Sequence, residues 1–486
     1  MKFITLLIVV IYACNCLCVT DEAIATNEIP RDEQRQKSVE CRIDEEVKRE
    51  ILGYKPVVDK IVNAVTKGDF KGKVYDELAA FVDKFGSRYS GTKNLEDAID
   101  YMQSVLKNHN LDNVHTEPVT FDGWFRGEEY ATLIKPRLYE MKILGLGNSI
   151  STPGSGIVAE ALVVNSFEEL VAKSDQVKGK IVVYNEAFKS YGETVKYRSI
   201  GAIEAARHGA VAALLRSVTP YSLYTPHTGM MHYDPNVTRI PFAAITIEDA
   251  QMLRRMSERG SRLEIELKMS NSVEQGLKSR NSVAELAGRK LADRVVLVSG
   301  HLDSWDVGQG AMDDGAGAFI SWYSLAVLNK LGLRPKRTLR AVLWTVEELG
   351  LIGAKQYVKR HYKDLDKFDL VMESDEGTFT PLGMEFAGSE NAECVVQEIL
   401  KLMDSINATK FQRGNKMGIG SDIVEMTSLG VPGASLLNQN DKYFYYHHTN
   451  ADTMTVEDPD SLDKCLALWA AFSYVVADLN KNFKDF

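Results

Sequence analysis

The apolar positions along this chain fall into two rhythms. From Tyr54 to Leu106 they recur every three or four residues, the spacing of amphipathic helices. One break interrupts them, at "FGSRYSGTKN", where Gly86, Ser87, Ser90 and Gly91 supply loop chemistry. From about Phe125 to Ser270 short apolar runs adjoin helical patterns. "GKIVVYNEAF" (179–188) reads as strand then turn, "IGAIEAARHGAVAALLRS" (200–217) as an Ala-rich helix then strand, and "IPFAAITIEDAQML" (240–253) as strand then helix. Beyond Arg280 the alternation resumes. "RVVLVSG" (294–300), "TLRAVLWTV" (338–346), "FDLVM" (368–372) and "GASLLN" (433–438) read as buried strands. "GAGAFISWYSLAVLNKLG" (315–332) reads as a helix closed by Gly332 ahead of Pro335, and "GAKQYVKRHYKDL" as another. Strands alternating with helices imply an α/β class, with a mixed, mostly parallel sheet sandwiched by helices.

Polar chemistry is unevenly spread over this scheme. The stretch 125–270 holds few clustered histidines or carboxylates, so it reads as a module inserted into a chemistry-bearing domain made of 51–124 and 271–486. In that domain His301 and Asp303 follow the first strand, with Asp313 and Asp314 after a glycine-rich loop. Glu347 and Glu348 follow the second strand, Asp375 the third, and His448 lies in the loop after the fourth. Each group sits at or beyond the carboxyl end of its strand, the edge where open α/β sheets hold ligands.

Imidazole and carboxylate donors without thiolates suit zinc. Five of them, His301, Asp313, Glu348, Asp375 and His448, are too many for one catalytic zinc that keeps a position for water. They suit two zinc ions sharing one bridging carboxylate and a hydroxide. Repulsion within Asp313–Asp314 is then offset by divalent charge, and the glycines let the loop wrap the metals. Asp303 is placed to accept the second imidazole N–H of His301 and fix its tautomer. Adjacent residues leaving a strand point to different sides. Glu348 can therefore bind metal while Glu347 stays free as the general base that takes a proton from water and returns it to the leaving amine. His447 reads as incidental. Ser421 and Asp422, in "GSDI", read as a helix N-cap in preference to a substrate contact. The loop lacks G-x-x-x-x-G-K-[ST] and G-x-G-x-x-G, and its acids would repel phosphate, which excludes a nucleotide cradle.

Charge and the amino terminus narrow the setting. The 486 residues carry a formal net charge of −10, which argues against nucleic acid and against an anionic membrane surface as partners. "MKFITLLIVVIYACNCLC" reads as a signal peptide over 1–18, its apolar run too short to span a bilayer, and no later run reaches that length. The charge-dense 19–50 reads either as a solvated leader or as a propeptide. Cys14, Cys16 and Cys18 leave with the signal, so Cys41, Cys394 and Cys465 remain. Three cannot all pair within one chain, and a Cys394–Cys465 bridge is one pairing open to it. In a secreted chain Asn236-Val-Thr and Asn407-Ala-Thr are glycosylation acceptors.

The motifs "SGHLDSWD", "GAMDDGAG", "TVEELGLIGA", "MESDEGTF", "GVPGAS" and "HHTNADT" together resemble the secreted dizinc metallopeptidases of the aminopeptidase/carboxypeptidase superfamily, from about Tyr54 to the C-terminus. The resemblance implies the dizinc exopeptidase fold with Asp313 as the bridge, His301 and Asp375 completing one zinc site, and Glu348 and His448 the other. It implies His448 over His447, Glu347 as base and Asp303 as the partner of His301. It further implies that 125–270 is a protease-associated-like domain, that a prosegment is cleaved, and that the protein is a homodimer with a secreted or lysosomal location along the endoplasmic reticulum and Golgi route. Three activities stay open at this point: a dipeptidase or carboxypeptidase, an aminopeptidase on longer peptides, and a non-catalytic receptor or binding module on the same fold. A dizinc hydrolase of non-peptide amides is disfavoured, because such relatives usually lack the inserted domain.

Overall fold

The computed structural model describes Cys41 and residues 43–486. The signal-peptide reading and most of 19–50 lie outside the described residues. Two eight-stranded sheets organise the described residues. The larger contains, in chain order, β1 (Asp112–Phe125), β2 (Ser272–Leu286), β3 (Leu291–His301), β4 (Arg337–Trp344), β5 (Phe368–Glu373), β6 (Pro381–Ala387), β7 (Lys410–Arg413) and β8 (Gly433–Asn438). Their spatial order is β1-β2-β4-β3-β5-β8-β6-β7. The centre is parallel, with β4, β3, β5 and β8 running the same way. Antiparallel pairs flank it, β1 with β2 and β2 with β4 on one side, β6 with β8 on the other.

Strand alternation explains why helices cover both faces. Val296 and Val298 of β3 and Ala341 and Leu343 of β4 point into one core, shared with helices Lys55–Thr66, Lys73–Phe85, Ala316–Lys330 and Pro459–Asp478. Their neighbours Val295, Leu297, Val342 and Trp344 point the other way, against Tyr357 and Val358 of helix Ile352–His361. The helix Ala316–Lys330 is buried along nearly its whole length, so its sequence is apolar all round rather than striped.

The second sheet is built entirely from strands between Glu129 and Met269. It repeats the same two-faced logic. Val182, Tyr184, Ala213 and Leu215 fill one core, while Ile181, Val183, Ala212 and Leu214 fill the other. The chain enters and leaves this unit through β1 and β2, which pair antiparallel along most of their length. Among the described residues no helix is long and apolar enough to cross a membrane.

The cysteine pairing differs from the one left open above. Cys41 bonds to Cys394, and Cys465 is a buried free thiol. Cys465 is buried within the main core on helix Pro459–Asp478, whereas Cys394 lies on helix Glu390–Leu400, where Cys41 reaches it. Sequence separation gave no hint of this, because 353 residues intervene. Asn236 and Asn407 are both exposed.

Candidate active site

The site is assembled where β3, β4 and β5 end. His301 is the last residue of β3 and is 1 % exposed. Its Nε2 lies 3.1 Å from Asp313 Oδ1 and 3.1 Å from Asp375 Oδ1. The other oxygen of Asp313 faces a different imidazole: His448 Nε2 is 3.3 Å from Asp313 Oδ2 and 3.1 Å from Glu348 Oε2. Asp313 thus stands between two donor sets, one on each of its oxygens. Donors around one tetrahedral zinc lie about 3.3 Å apart, given bonds of roughly 2.0–2.1 Å, and these four separations match that spacing. Among the described residues, buried Glu348 Oε1 has no hydrogen-bond partner, which suits it to a cation. The donor set therefore fits zinc. His447 with Asp313 and His448, and Glu347 with His301 and Glu348, also gather closely enough to ligate. Their contacts are longer, 3.7 Å for His447 Nε2 to Asp313 Oδ2 and 3.9 Å for Glu347 Oε2 to His301 Nε2, so the tighter sets are preferred.

Backbone geometry aims these groups. Val346, the residue before the Glu347–Glu348 pair, has φ +59°, and His448 has φ +61°. Left-handed backbone is costly for a β-branched valine and is held only where surroundings over-determine it. Here Asp303 does so: its carboxylate accepts from the main-chain N–H of Glu347 at 3.1 Å, of Glu348 at 3.4 Å, and from the Ser90 hydroxyl at 2.8 Å. This revises the role expected of Asp303. The partner of His301 Nδ1 is its main-chain carbonyl at 2.9 Å, while the carboxylate stays 3.9 Å away and anchors the Glu347–Glu348 turn instead.

The Asp313–Asp314 loop is held from two sides. Asp314 accepts from the N–H of His301 at 3.0 Å and of Gly317 at 3.1 Å, so it braces the loop and is turned away from the donor sets. Asp452 accepts from the N–H groups of Ala311, Met312 and Asp313 at 3.1, 2.8 and 3.2 Å. Arg88, fully buried, donates to the carbonyls of Leu302, Gln309 and Gly310. Neither Asp452 nor Arg88 was singled out from the sequence. The available signals were an acid four residues after His448 and an arginine in a glycine- and serine-rich turn. Gly317 is required by close approach, since a Cβ there would lie 1.9 Å from the Ser374 carbonyl oxygen.

Ser421 is a second revision. The helix Val424–Thr427 begins without a side-chain cap. The Ser421 hydroxyl donates instead to Asp375 Oδ2 at 2.5 Å, orienting that carboxylate. Tyr443 donates its hydroxyl to the Asp375 carbonyl at 3.1 Å. His447 is not remote from the site: its ring stacks on His448 at 3.5 Å between centroids. Glu347 keeps partial exposure, 15 % for its side chain, and its carboxylate makes no hydrogen bond among the described residues, so it faces the open side of the site.

Electrostatics follow from burial. Burial pushes the carboxyls of Glu347, Glu348 and Asp313 above their ordinary values, and the surrounding acids add to this. Burial opposes charge on His301, but Asp375 and Glu347 outweigh it and raise its pKa well above the ordinary value. Burial lowers His448 and His447 well below theirs and so favours the neutral imidazole, the form that binds metal. A pocket with this excess of carboxylate calls for divalent charge.

The inserted unit reaches this site. Thr228 accepts from His448 Nδ1 through its carbonyl at 3.2 Å, and its own N–H donates to the His448 carbonyl at 3.1 Å.

The chain is similar to known proteins in both sequence and fold. The model of peptidase family M28 matches residues 281–473. A curated Xenopus laevis protein named carboxypeptidase Q is 52 % identical over 90 % of this chain and 92 % of its own length. A crystal structure of a peptidase M28 precursor from Shewanella amazonensis superposes with a TM-score of 0.84 at 32 % identity, covering 89 % of this chain and 98 % of that one. A zinc aminopeptidase from Bacillus subtilis shares the fold, with a TM-score of 0.64 at 20 % identity over 86 % of this chain and 98 % of its own.

Proposed function

The chain belongs to peptidase family M28 and is a zinc-dependent exopeptidase, and from that premise we propose that it holds two zinc ions and hydrolyses dipeptides or short peptides with Glu347 as general base. The observation that carries this reading is the position of Asp313, whose two oxygens face separate donor sets, His301 with Asp375 and His448 with Glu348. When bound, the zinc pair supplies Lewis acidity, polarising the scissile carbonyl and making water a nucleophile at neutral pH.

The chain's own residues do the rest. Asp313, His301, Asp375, Glu348 and His448 hold the ions, and Asp303 sets the turn that separates the roles of Glu347 and Glu348. Glu347, half-buried with a free carboxylate, takes the proton of the attacking water at Oε and delivers it to the departing amine nitrogen. Burial raises its carboxyl above the ordinary glutamate value, which strengthens it as a proton acceptor. In this reading the protein follows the secretory route after removal of 1–18 and of a prosegment within 19–50, is glycosylated at Asn236 and Asn407, and works as a homodimer without nucleic-acid or membrane partners.

The test is hydrolysis of an unblocked dipeptide by zinc-loaded mature protein, with and without chelator, beside a zinc count. Chelator-sensitive cleavage at two zinc ions per chain is expected. Absence of any cleavage by fully loaded protein would move the reading to a binding module on this fold. Cleavage that grows with peptide length would favour an aminopeptidase.

A further inference from the structure

Two imidazoles face the candidate metal centre with Nε2, and their Nδ1 atoms are held from different directions. His301 Nδ1 meets the Asp303 carbonyl at 2.9 Å, within its own loop. His448 Nδ1 meets the Thr228 carbonyl at 3.2 Å, and the Thr228 N–H donates to the His448 carbonyl at 3.1 Å. Thr228 belongs to the inserted unit and is fully buried. Among the described residues no other acceptor takes a hydrogen bond from His448 Nδ1. A bond there keeps the proton on Nδ1 and leaves the Nε2 lone pair for a metal. The half of the centre made by His448 and Glu348 is therefore aimed by a unit that supplies none of its ligands.

Arg126 ties that unit to the catalytic domain. It follows β1 at the entrance to the inserted unit, and its side chain is 11 % exposed. A guanidinium has five N–H groups, and here all are directed. Nε and Nη2 donate to the two oxygens of Asp306 at 2.6 and 3.1 Å, and Nη2 also to the Thr228 hydroxyl at 3.2 Å. Nη1 donates to the Gly145 carbonyl at 2.5 Å and to Glu129 at 3.2 Å. The Thr228 hydroxyl in turn donates to the same Gly145 carbonyl at 2.9 Å. Asp306 lies in the catalytic domain, just beyond His301 in the loop after β3. A bidentate pair of this kind fixes direction as well as distance. Its neighbour Trp305 adds packing: its ring lies 5.4 Å from that of His448, and a Cβ on Gly147 of the inserted unit would fall 2.7 Å from Trp305 Cη2.

We propose that the Arg126–Asp306 pair is a latch through which the inserted unit positions His448, so that zinc binding at the His448–Glu348 half of the centre depends on the seating of that unit while binding at the His301–Asp375 half does not. Arg126, Asp306 and Thr228 are positioning residues that act through His448. The inference rests on the two-zinc reading above and makes its two sites unequal. The asymmetry follows from the hydrogen bonds: the catalytic domain orients His301 by itself, whereas His448 takes its ring direction across the boundary between units.

The experiment is competitive zinc titration of the full mature protein against a chromophoric chelator, with kcat on an unblocked dipeptide followed as zinc is raised. Asp306→Asn keeps one acceptor oxygen but turns an NH2 group toward Arg126, donor against donor, while Glu129 still neutralises the guanidinium. Wild type should bind two zinc ions. In Asp306→Asn one ion should keep wild-type affinity and the other weaken by about 10- to 100-fold, the range for groups that support metal ligands, with kcat restored at saturating zinc. Glu285→Gln is the control, because it breaks the ion pair with Arg340 between strands β2 and β4 and touches no residue of the centre. It should lower Tm and leave both affinities unchanged. Two ions at wild-type affinity in Asp306→Asn, equal weakening of both ions, or the same weakening in Glu285→Gln overturns the proposal. Thr228→Val leaves the ion pair intact and removes only the hydroxyl. It should weaken the same ion by about 2- to 10-fold, the worth of one ordinary hydrogen bond. It carries the test where Asp306→Asn fails to fold, and wild-type affinity for both ions then overturns the proposal. Failure of the two-zinc reading looks different, since wild type itself then binds fewer than two ions.

Discussion

Replacing Asp452 by asparagine tests whether the metal-binding loop is shaped from beneath. The Asp452 carboxylate is 3 % exposed and accepts three main-chain N–H groups, from Ala311 and Met312 on Oδ1 and from Asp313 on Oδ2. Asparagine can keep its oxygen toward Ala311 and Met312. Its NH2 group then faces the Asp313 N–H, donor against donor, and that one bond is lost. An orphaned buried donor costs about 1–3 kcal/mol, which corresponds to roughly a 5- to 150-fold change in an equilibrium constant at about 1.4 kcal/mol per tenfold. The lost bond belongs to Asp313 itself, so the cost should appear mainly in zinc affinity. This agrees with the roughly 10- to 100-fold usually seen for groups that support metal ligands. Asp452→Ala orphans all three N–H groups and should weaken zinc further and lower thermal stability. The assay is competitive zinc titration against a chromophoric chelator, beside thermal melts of apo and loaded protein. Wild-type zinc affinity in Asp452→Asn, in a protein that folds normally, would refute the reasoning and detach Asp452 from the centre.

Other outcomes follow from the same geometry. Glu347→Gln should keep its zinc and lose roughly 10²–10⁴ in kcat; near-wild-type turnover with intact zinc removes Glu347 from the mechanism. Asp313→Ala should lose both metals together, read by elemental analysis after dialysis, and retention of one full equivalent at wild-type affinity contradicts a bridge. Burial pushes the Glu117 carboxyl up, but hydrogen bonds from His115, His361 and Arg360 outweigh it and hold it well below the ordinary range. Its stabilisation is therefore present above the unfolded carboxyl value and lost as pH falls toward the depressed folded one. Glu117→Gln should cost about 3 kcal/mol at neutral pH, with the gap to wild type closing in urea melts at acid pH. Burial raises Glu457 to about 8, far above its ordinary value, so the cost to folding builds as pH rises from the unfolded carboxyl value to about 8, is complete above that, and is absent below about 4. Glu457→Gln should raise Tm at pH 9 and leave it unchanged at pH 4, and equal shifts at both would exclude titration as the cause.

Periodicity alone determined the elements that carry chemistry. The runs at 294–300, 338–346, 368–372 and 433–438 lie on β3, β4, β5 and β8, and these four form the parallel centre of the sheet. Because parallel strands deliver their carboxyl ends to one edge, residue type and placement at those strand ends predict that His301, Asp313, Glu348, Asp375 and His448 share that edge. The antiparallel additions β6 and β7 were not legible, since short flanking strands are decided by what they pack on.

What only the tertiary structure decided are contacts between segments far apart in the chain. The Cys41–Cys394 bond spans 353 residues and depends on where an amino-terminal segment lies across a helix. Asp452 beneath the loop, Ser421 on Asp375, and the carbonyl rather than the carboxylate of Asp303 on His301 are choices of atom and direction, not of residue type. Thr228 reaches His448 from the inserted unit, in a loop of the second sheet's half of the chain. Sequence pattern specifies how a segment buries its own apolar face, because that is local. Which polar group satisfies which buried partner is settled only when separate elements close on one another and each donor must find an acceptor.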